Sequence, residues 1–231
     1  MIKEAIQHYK QSHGYSLFSP RCVLFDMDGV LYNSMPNHAV AWHEAMKQFG
    51  IHFTADDSYA TEGARGVDTI RKYVLEQQGK EISSEEAQRM YDVKTEIFHH
   101  MPIAEIFPGV IDIMQKIKSA GMTIGVVTGS GQRPLIKRLL NDFDGFLTED
   151  HIVTAYDVER GKPNPDPYLM GLRKTGNNNP WQGIVVENAP LGVRAGSAAN
   201  CFTIGINSGP LPDSALADNG ANIVLQQMTE L

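Results

Sequence analysis

One segment, Val23-Leu24-Phe25-Asp26-Met27-Asp28-Gly29-Val30, constrains this chain more than any other. Three apolar residues run into an aspartate, a second aspartate follows two positions later, and a glycine comes directly after it. A short apolar run bounded by a turn signal is typical of a buried strand in a parallel sheet. Ligands of such sheets bind beyond the carboxyl ends of the strands. Because neighbouring carboxylates repel each other unless a cation or a proton intervenes, the segment predicts a divalent metal, a catalytic acid, or both.

Composition and charge exclude several classes of protein. The chain has 231 residues, which suits one large domain or a domain that carries an insertion. The hydrophobic content of 42% and the charged content of 20% are ordinary for a globular protein. The formal net charge is −7 and no run of Lys and Arg stands out, so we expect no nucleic-acid partner and no membrane partner. An anionic substrate would have to be attracted locally, by a metal or by a few lysines.

Other features bear on the compartment and the oligomeric state. Cys22 and Cys201 lie in apolar, strand-like segments, so we expect buried free thiols in a reducing cytoplasm. Residues 1–14 are polar and lack the apolar region of a signal peptide. No apolar run approaches the ~20 residues that cross a bilayer. We therefore expect a cytoplasmic protein, and we expect it to be a monomer.

The order of the predicted elements favours an α/β fold. We predict helices at 2–9, 110–120, 134–141, 167–175 and 191–199. We predict strands at 22–25, 123–127, 146–147, 152–153, 184–186, 202–206 and 222–225. Strands that alternate with helices indicate a doubly wound parallel sheet with helices on both of its faces, a Rossmann-like arrangement.

The segment between the first two strands has a different pattern. Apolar residues recur at helical spacing near 41–49 and 70–77, and a third helix is predicted over 84–99 because Ser83-Ser84-Glu85-Glu86 supplies a cap and first-turn acids. We find no convincing strand in this segment. It predicts an inserted all-α cap domain over 35–103, whereas 1–34 and 104–231 form the α/β core domain. The two connections, 33–36 and 102–108, are the expected hinges.

Polar residues follow the predicted strands at the positions that chemistry uses. Beyond Asp26 and Asp28 these groups are Thr128-Gly129-Ser130, Lys162 in a proline-stiffened loop, and Glu187-Asn188. The carboxyl ends of parallel strands share one edge of the sheet, so we expect the groups to converge there. Each group alone has an ordinary explanation as a turn, a strand end, a solvated charge or a helix cap. Their joint occurrence in this order argues against coincidence.

Each of these groups suits phosphoryl transfer. A carboxylate such as Asp26 can attack phosphorus and become an aspartyl phosphate. Asp28 can protonate the leaving oxygen and then activate water. Thr128, with Gly129 and Ser130 behind it, can hydrogen-bond the transferring group, and Lys162 supplies a compact positive charge.

Magnesium is the metal that these residue types favour. Mg²⁺ takes oxygen ligands and keeps several waters, so Asp26, Asp28, Glu187 and Asn188 are the candidate ligands of the core. The cation would allow Asp26 to remain ionised as it meets an anionic substrate.

The four groups that follow the predicted strands are four sequence motifs: Asp26 with Asp28, Thr128, Lys162, and Glu187 with Asn188. With these motifs the chain resembles the haloacid dehalogenase superfamily, and within it the helical-cap branch that contains β-phosphoglucomutase and phosphoglycolate phosphatase. The resemblance runs from about Arg21 to the end of the sequence. It implies Asp26 as the nucleophile, Asp28 as the general acid and base, Thr128 and Lys162 as the second and third motifs, and Mg²⁺ as the cofactor. The presence of Asp28 argues against the dehalogenases, which lack that second aspartate. Ser34, His38 and Trp42 also fall at the spacing seen in β-phosphoglucomutase, which implies that His38 links core and cap on closure.

The chain departs from this pattern at two places. The fourth motif commonly carries two adjacent acids, but here Asn188 follows Glu187, so the metal site loses one charge. In the cap, the segment 61–66 resembles the substrate-specificity loop of the mutase. Glu62 stands there in place of a basic residue, Gly66 stands in place of an arginine, and the adjacent Arg65 is expected to point elsewhere.

These departures suggest a very small substrate. A mutase must hold a second phosphate, which an arginine fork does well, and that fork is missing. Glu62 could instead reach down from the closed cap and replace the missing metal charge, which requires a substrate that leaves room. Inorganic pyrophosphate fits, with Lys94 neutralising its far end, and an inorganic pyrophosphatase in this superfamily has similar features. The alternatives are a β-phosphoglucomutase, a phosphatase of small sugar phosphates and, more remotely, a phospho-accepting signalling switch.

Overall fold

Six parallel strands form the centre of the computed structural model, which describes residues 2–231. They are β1 (Cys22–Phe25), β2 (Thr123–Val127), β3 (Ile152–Val153), β4 (Gly183–Glu187), β5 (Phe202–Ile206) and β6 (Ile223–Leu225), in the spatial order β3-β2-β1-β4-β5-β6. The chain proceeds outward on both sides of β1, so the order reverses next to that strand. Such a reversal opens a crevice at the carboxyl ends of the strands, and this is where ligands of doubly wound sheets bind. The predicted fold class is confirmed.

Helices cover both faces of the sheet because both faces of its strands are apolar. The helices are α1 (Ile2–His13), α2 (Met35–Gln48), α3 (Ala55–Ala60), α4 (Gly66–Gln78), α5 (Ser84–His99), α6 (Val110–Ser119), α7 (Arg133–Asp142), α8 (Asp166–Lys174), α9 (Pro190–Ala198) and α10 (Asp213–Ala217). Along β1, Val23 and Phe25 join the hydrophobic cluster on one face, whereas Cys22 and Leu24 join the cluster on the other. Within residues 2–231, no helix has both the length and the apolar character needed to cross a membrane.

Helices α2 to α5 lie between β1 and α6 and have a hydrophobic core of their own. That core includes Trp42, Phe53, Ile70, Tyr73 and Met90. The two connections to the sheet run side by side, since the backbone N–H of residue 33 donates to the carbonyl of residue 105 at 2.8 Å and the N–H of residue 107 donates to the carbonyl of residue 31 at 3.0 Å. We keep the predicted limits of this cap, 35–103, as a proposal.

Several predicted element boundaries were wrong. Residues 146–147 form no strand: the N–H groups of Phe146 and Leu147 both donate to the carbonyl of Phe143, which closes a turn, and Leu147 is buried without joining the sheet. Helix α1 continues to residue 13 rather than ending at residue 9. Helices α3 and α10 were not predicted, although Thr54 and Asp57 form a capping box that marks the start of α3.

Candidate active site

The carboxyl ends of three neighbouring strands bring the predicted core residues together. Asp26 directly follows β1, Thr128 directly follows β2, and Glu187 ends β4, while Lys162 reaches the same point from the loop between β3 and α8. The backbone of Asp26 is hydrogen-bonded to the neighbouring strand, because its N–H donates to the carbonyl of Val186 at 2.9 Å. All four side chains are buried, so the site is rigid before any ligand arrives.

Lys162 is the hub of a buried ionic cluster. Its Nζ donates to Asp26 Oδ1 at 2.5 Å, to Glu187 Oε1 at 2.6 Å and to the carbonyl of Val127 at 3.0 Å. Glu187 also accepts from the hydroxyl of Tyr168 at 2.7 Å and, through Oε2, from the backbone N–H groups of residues 188 and 189. Both Glu187 oxygens are therefore occupied by protein donors, and Glu187 holds Lys162 in place.

The electrostatics of this cluster favour an additional cation. Burial raises the pKa of Asp26 well above its ordinary value; Lys162 opposes that rise, and Glu187 adds to it. Burial alone would lower the pKa of Lys162, but the two carboxylates outweigh it and raise the pKa. One lysine thus faces two carboxylates, so both carboxylates ionise together only when a further positive charge is present in this desolvated place.

Asp28 is held by two residues at the base of the cap. The hydroxyl of Ser34 donates to Asp28 Oδ1 at 2.6 Å, and His38 Nε2 lies 3.3 Å from the same oxygen. Burial alone would raise the pKa of Asp28, but His38 and Ser34, with help from the charge of Lys94, bring it below its ordinary value. Both contacts use Oδ1, and within residues 2–231 no hydrogen bond is made to Oδ2.

Lys94 continues this chain of contacts into the cap. Its Nζ lies 2.8 Å from His38 Nδ1, and it sits among aromatic rings, 4.8 Å from the centroid of Phe98 and 5.3 Å from that of Trp42. The side chain is 2% exposed. Burial lowers the pKa of Lys94 to about 8, against the opposing effect of Glu62 and Asp28.

Glu62 lies on the cap side of the same site. It lines a cavity of about 40 Å³, here named the inner cavity, together with Asp28, Thr128, Gly129 and Ser130. Burial raises the pKa of Glu62, His38 lowers it, and the charge of Asp28 raises it further. The structure thus places Glu62 and Lys94 around the same cavity as Asp28.

The cap is closed over the core loops, and glycines permit the close approach. A Cβ on Gly129 would lie 3.1 Å from the carbonyl oxygen of Gly63, and a Cβ on Gly63 would lie 3.0 Å from the Lys162 side chain. The inner cavity is what this closure leaves between the two surfaces. At about 10–15 Å³ for each water-sized position, it holds about three such positions, which is close to the size of a phosphoryl group.

Residues 65 and 66, at the end of the cap segment 61–66, do not form an arginine fork. The Arg65 side chain turns away, where its Nε donates to Asp68 at 2.8 Å and its Nη1 donates to the carbonyl of Glu159 at 3.1 Å. A Cβ on Gly66 would lie 2.1 Å from the ring of Tyr91. Tyr91 therefore fills the space that an arginine at position 66 would need.

The residues around Asp26 fit a hard divalent cation. Asn188 Oδ1 is buried without a hydrogen-bond partner, so it has an oxygen to offer. Gly29, at φ 83°, makes room for this amide, since a Cβ there would lie 2.0 Å from Asn188 Nδ2. In residues 2–231 no group of three or more His, Cys, Asp or Glu side chains could hold a metal, so the Asn188 oxygen is needed beside the two aspartates. The geometry does not favour the predicted metal-ligand role of Glu187, because Lys162 and Tyr168 occupy its Oε1 and backbone N–H groups occupy Oε2.

Sequence reasoning missed two aromatic residues of the site. Tyr168, which binds Glu187, lies in the apolar stripe of α8 and gave no signal that separates it from an ordinary core residue. Tyr91 occupies a similar stripe on α5, and only the structure places its ring against Gly66.

The central-strand aspartate pair beneath a closed helical cap defines a class of hydrolases. The chain belongs to the haloacid dehalogenase-like hydrolases, whose family model matches residues 23–206.

Individual relatives share most of their length with this chain. Hexitol phosphatase A of Escherichia coli is 30% identical over 209 residues, which cover 90% of this chain and 91% of the relative. Glycerol-1-phosphate phosphohydrolase 2 of Saccharomyces cerevisiae is 28% identical over 189 residues, or 79% of this chain and 73% of the relative. A solved structure from Bacteroides vulgatus, described provisionally as a beta-phosphoglucomutase, is 47% identical with a TM-score of 0.94, and the match covers 98% of this chain and 92% of that one.

These comparisons confirm the predicted branch and the phosphohydrolase class. The names of the relatives refer to phosphatases of polyol phosphates and to a mutase, not to a pyrophosphatase. They therefore favour the predicted alternative, a phosphatase or mutase of small sugar phosphates, over pyrophosphate as the substrate.

Proposed function

We propose that this protein hydrolyses small phosphorylated substrates through an aspartyl phosphate formed on Asp26. The observation that carries this proposal is the position of Asp26. This residue directly follows the central strand, and its carboxylate contacts Lys162 and lies beside Asp28 beneath the closed cap. Such an arrangement supplies a nucleophile, a positive charge for the transferring group, and a proton donor within one desolvated site.

Asp28 acts as the general acid and then as the general base. Ser34 and His38 hold its Oδ1, so Oδ2 is the oxygen that faces the reaction. An incoming phosphate raises the pKa of this carboxyl by charge repulsion, which favours the protonated form needed for the first step. After the leaving group has departed, the ionised carboxylate takes a proton from the attacking water.

Thr128, Gly129 and Ser130 bind the transferring group. They line the inner cavity opposite Glu62, and the backbone N–H of Ser130 already donates to Thr128 Oγ1 at 3.0 Å, which fixes the hydroxyl. Lys162 neutralises charge on the phosphoryl oxygens. The closed cap excludes water, which strengthens each of these interactions.

Mg²⁺ is the cofactor that the donor set favours. Asp26, Asp28 and the Asn188 amide oxygen would hold it from the core. Glu62 lines the same cavity as Asp28 and would have to approach further to add a carboxylate from the cap, since no three carboxylates of residues 2–231 are placed for a metal in this structure. When bound, the cation supplies the positive charge that keeps Asp26 ionised beside an anion.

Small phosphorylated polyols and sugars are the first substrate class that we propose, since the relatives include phosphatases of hexitol and glycerol phosphates. Hydrolysis is favoured over mutase activity because the arginine fork for a second phosphate is missing and Tyr91 fills its place.

Pyrophosphate is the second candidate, on the strength of the inner cavity. A carboxylate from the cap borders this 40 Å³ space, which matches one phosphoryl group and is too small for a sugar. Pyrophosphate adds only one further phosphoryl group, so it requires less widening of the gap between cap and core than a sugar phosphate held in the inner cavity alone.

The test is a rate measurement with Mg²⁺ on pyrophosphate, glycerol 1-phosphate, sorbitol 6-phosphate and β-glucose 1-phosphate. The proposal expects phosphate release from at least one of them and none above background from Asp26→Asn. The fastest substrate decides between polyol or sugar phosphates and pyrophosphate. Production of glucose 6-phosphate from β-glucose 1-phosphate without phosphate release would instead identify a mutase. A phosphorylated Asp26 that persists for many minutes with Mg²⁺ would instead favour a signalling switch.

A further inference from the structure

A second, larger cavity opens on the other side of Asp28. It has a volume of about 200 Å³, five times that of the inner cavity, and Asp28 and Leu135 line both. We name it the hinge compartment because the two connections between core and cap form part of its wall, beside residues of α2, α5 and α7. The catalytic acid therefore borders two spaces of different size.

The walls of the hinge compartment are mainly apolar, with a few polar groups. Phe98, Met101 and Leu135 supply apolar surface, and Ser34 and Asn37 supply polar atoms. His99 and Arg138 also line the compartment, and the Arg138 guanidinium is already paired with Asp142 at 3.0 Å. Asn37 Nδ2 donates to the carbonyl of residue 102 at 2.8 Å, which leaves its side-chain oxygen as an acceptor for a hydroxyl group. A carbon chain that bears hydroxyl groups matches such a surface, because its C–H faces contact the apolar side chains and its hydroxyls reach the polar atoms.

Phe98 separates the hinge compartment from the charged part of the cap. Its ring packs 4.2 Å from the ring of His38, centroid to centroid, and Lys94 Nζ lies 4.8 Å from the Phe98 centroid on the cap side. The hinge compartment is thus shielded from the charges of Lys94 and Glu62, while Asp28 remains accessible from it. This is the environment that an uncharged alcohol group needs.

We infer that the hinge compartment binds the alcohol part of a phosphate ester while the phosphoryl group occupies the inner cavity. This inference rests on the proposed function and names the place of the substrate's organic part. As the phosphorus–oxygen bond breaks, the phosphoryl group passes to Asp26, and the departing oxygen keeps the bonding electrons and takes a proton from Asp28. That oxygen must lie within hydrogen-bonding reach of Asp28, which both cavities border.

The volumes set the substrate size. At about 10–15 Å³ for each water-sized position, 200 Å³ holds about a dozen or more non-hydrogen atoms, which matches a polyol of up to about six carbons. The inner cavity cannot hold such a group with the cap closed. Use of both cavities lets the closed cap of this chain accept polyol phosphates.

The test uses variants that narrow the hinge compartment or remove its acceptor, and it compares kcat/KM for a long phosphate ester with kcat/KM for a short one. Ala104 lies in its wall, so Ala104→Phe places a ring there, and Asn37→Ala removes the acceptor without adding bulk. Val40→Phe adds the same ring to an exposed surface of α2 and serves as the control. For each variant, kcat/KM is measured on sorbitol 6-phosphate and glycerol 1-phosphate, and circular dichroism confirms folding.

We expect Ala104→Phe to lower the ratio of kcat/KM for sorbitol 6-phosphate to that for glycerol 1-phosphate at least tenfold. Asn37→Ala should lower the same ratio about threefold to tenfold, and it decides the matter if Ala104→Phe does not fold. An unchanged ratio in the folded variants would overturn the inference. A wild-type enzyme that hydrolyses pyrophosphate but neither ester would also overturn it and leave the proposed hydrolase intact, whereas an enzyme that releases phosphate from none of these compounds refutes the proposed function itself.

Discussion

Two charged clusters face each other across the site, one on the core and one on the cap, and they are built differently. In the core, Lys162 donates to Asp26, to Glu187 and to a backbone carbonyl, so the lysine has a partner for each of its protons. In the cap, Lys94 has one close polar partner, His38, and is otherwise surrounded by aromatic rings. The core lysine has its pKa raised, whereas burial brings that of the cap lysine down to about 8.

The difference separates a structural role from a ligand-dependent one. A buried charge with its hydrogen bonds satisfied offsets most of its desolvation cost, whereas a buried charge with few partners is costly until a ligand supplies the missing counter-charge. The core cluster is therefore ready before substrate binds. The cap cluster, with Glu62, His38 and Lys94, becomes favourable when an anion and a metal fill the space between cap and core.

The largest effect expected is that of removing the nucleophile on the core side. Asp26→Asn should lower kcat by at least about 10⁴-fold, because the amide cannot form the acyl phosphate. Asp28→Asn should lower it by about 10²–10⁴-fold through loss of the acid and base steps. Asp144→Asn, at an exposed turn position, is the matched control, and steady-state phosphate release is the measurement. A fully active Asp26→Asn enzyme would remove the basis of the comparison.

Loss of the core lysine should damage the fold as well as the activity. Lys162→Met leaves the Asp26 and Glu187 carboxylates buried without their counter-charge, which should lower the free energy of unfolding by about 3–5 kcal/mol. Urea unfolding at pH 7 measures this, with exposed Lys72→Met as the control. If stability is unchanged, the core cluster is not the preformed unit described above.

Loss of the cap lysine should have the opposite effect on stability. Because the pKa of Lys94 is about 8 in the folded protein and the ordinary value is 10.5, burial of the charge costs free energy at pH 7. Lys94→Met should therefore raise the free energy of unfolding at pH 7 by up to about 3 kcal/mol and still lower kcat/KM.

The lowered pKa of Lys94 also predicts how the free energy of unfolding changes with pH. Between about pH 8 and pH 10.5 the unfolded chain binds a proton at Lys94 that the folded protein has released, so wild-type stability rises relative to Lys94→Met across this range. Urea unfolding of both proteins at pH 7 and pH 10 measures the change. A difference that is independent of pH would show that the lysine is not strained by burial.

A smaller effect is expected at the cap carboxylate. Glu62→Gln keeps the size of the side chain and removes its charge, so the Mg²⁺ concentration for half-maximal activity should rise about threefold to tenfold if Glu62 helps to hold the metal. The control is Glu44→Gln on the exposed face of α2. An unchanged Mg²⁺ titration would assign Glu62 to the substrate or to neither.

The smallest effect is expected at Arg65, whose guanidinium already pairs with Asp68 outside the site. Arg65→Ala should change kcat/KM less than about twofold, since exposed ion pairs contribute little. A large loss that is specific to sugar phosphates would show that Arg65 swings into the closed site, and it would bring the mutase back as a candidate.

The sequence predicted the core more completely than the cap, for a physical reason. Asp26, Thr128 and Glu187 stand at strand ends or directly after them, and the ends of parallel strands meet at one edge of the sheet, so topology alone brings them together. Lys162 joins them from the loop between β3 and α8. The role of Glu187 needed the structure, because its contacts with Lys162 and Tyr168 come from elements far apart in the chain.

In the cap, sequence spacing predicted α2, α4 and α5 but not α3, and it did not predict how the helices pack. It could not show that Tyr91 fills the space beside Gly66, nor that Phe98 divides two cavities. The two apolar residues at 146–147 were predicted as a strand because so short an apolar run does not distinguish a strand from a buried turn.

Trapping of the phosphorylated enzyme tests the central claim most directly. Asp28→Asn and the double variant with Asp26→Asn are mixed with Mg²⁺ and the fastest substrate, quenched in acid, digested and examined by mass spectrometry. The account predicts a phosphorylated peptide with the modification on Asp26 in the single variant and none in the double variant. A wild-type enzyme that turns over while no trapped sample carries phosphate on Asp26, or a modification that persists at another residue in the double variant, would contradict it.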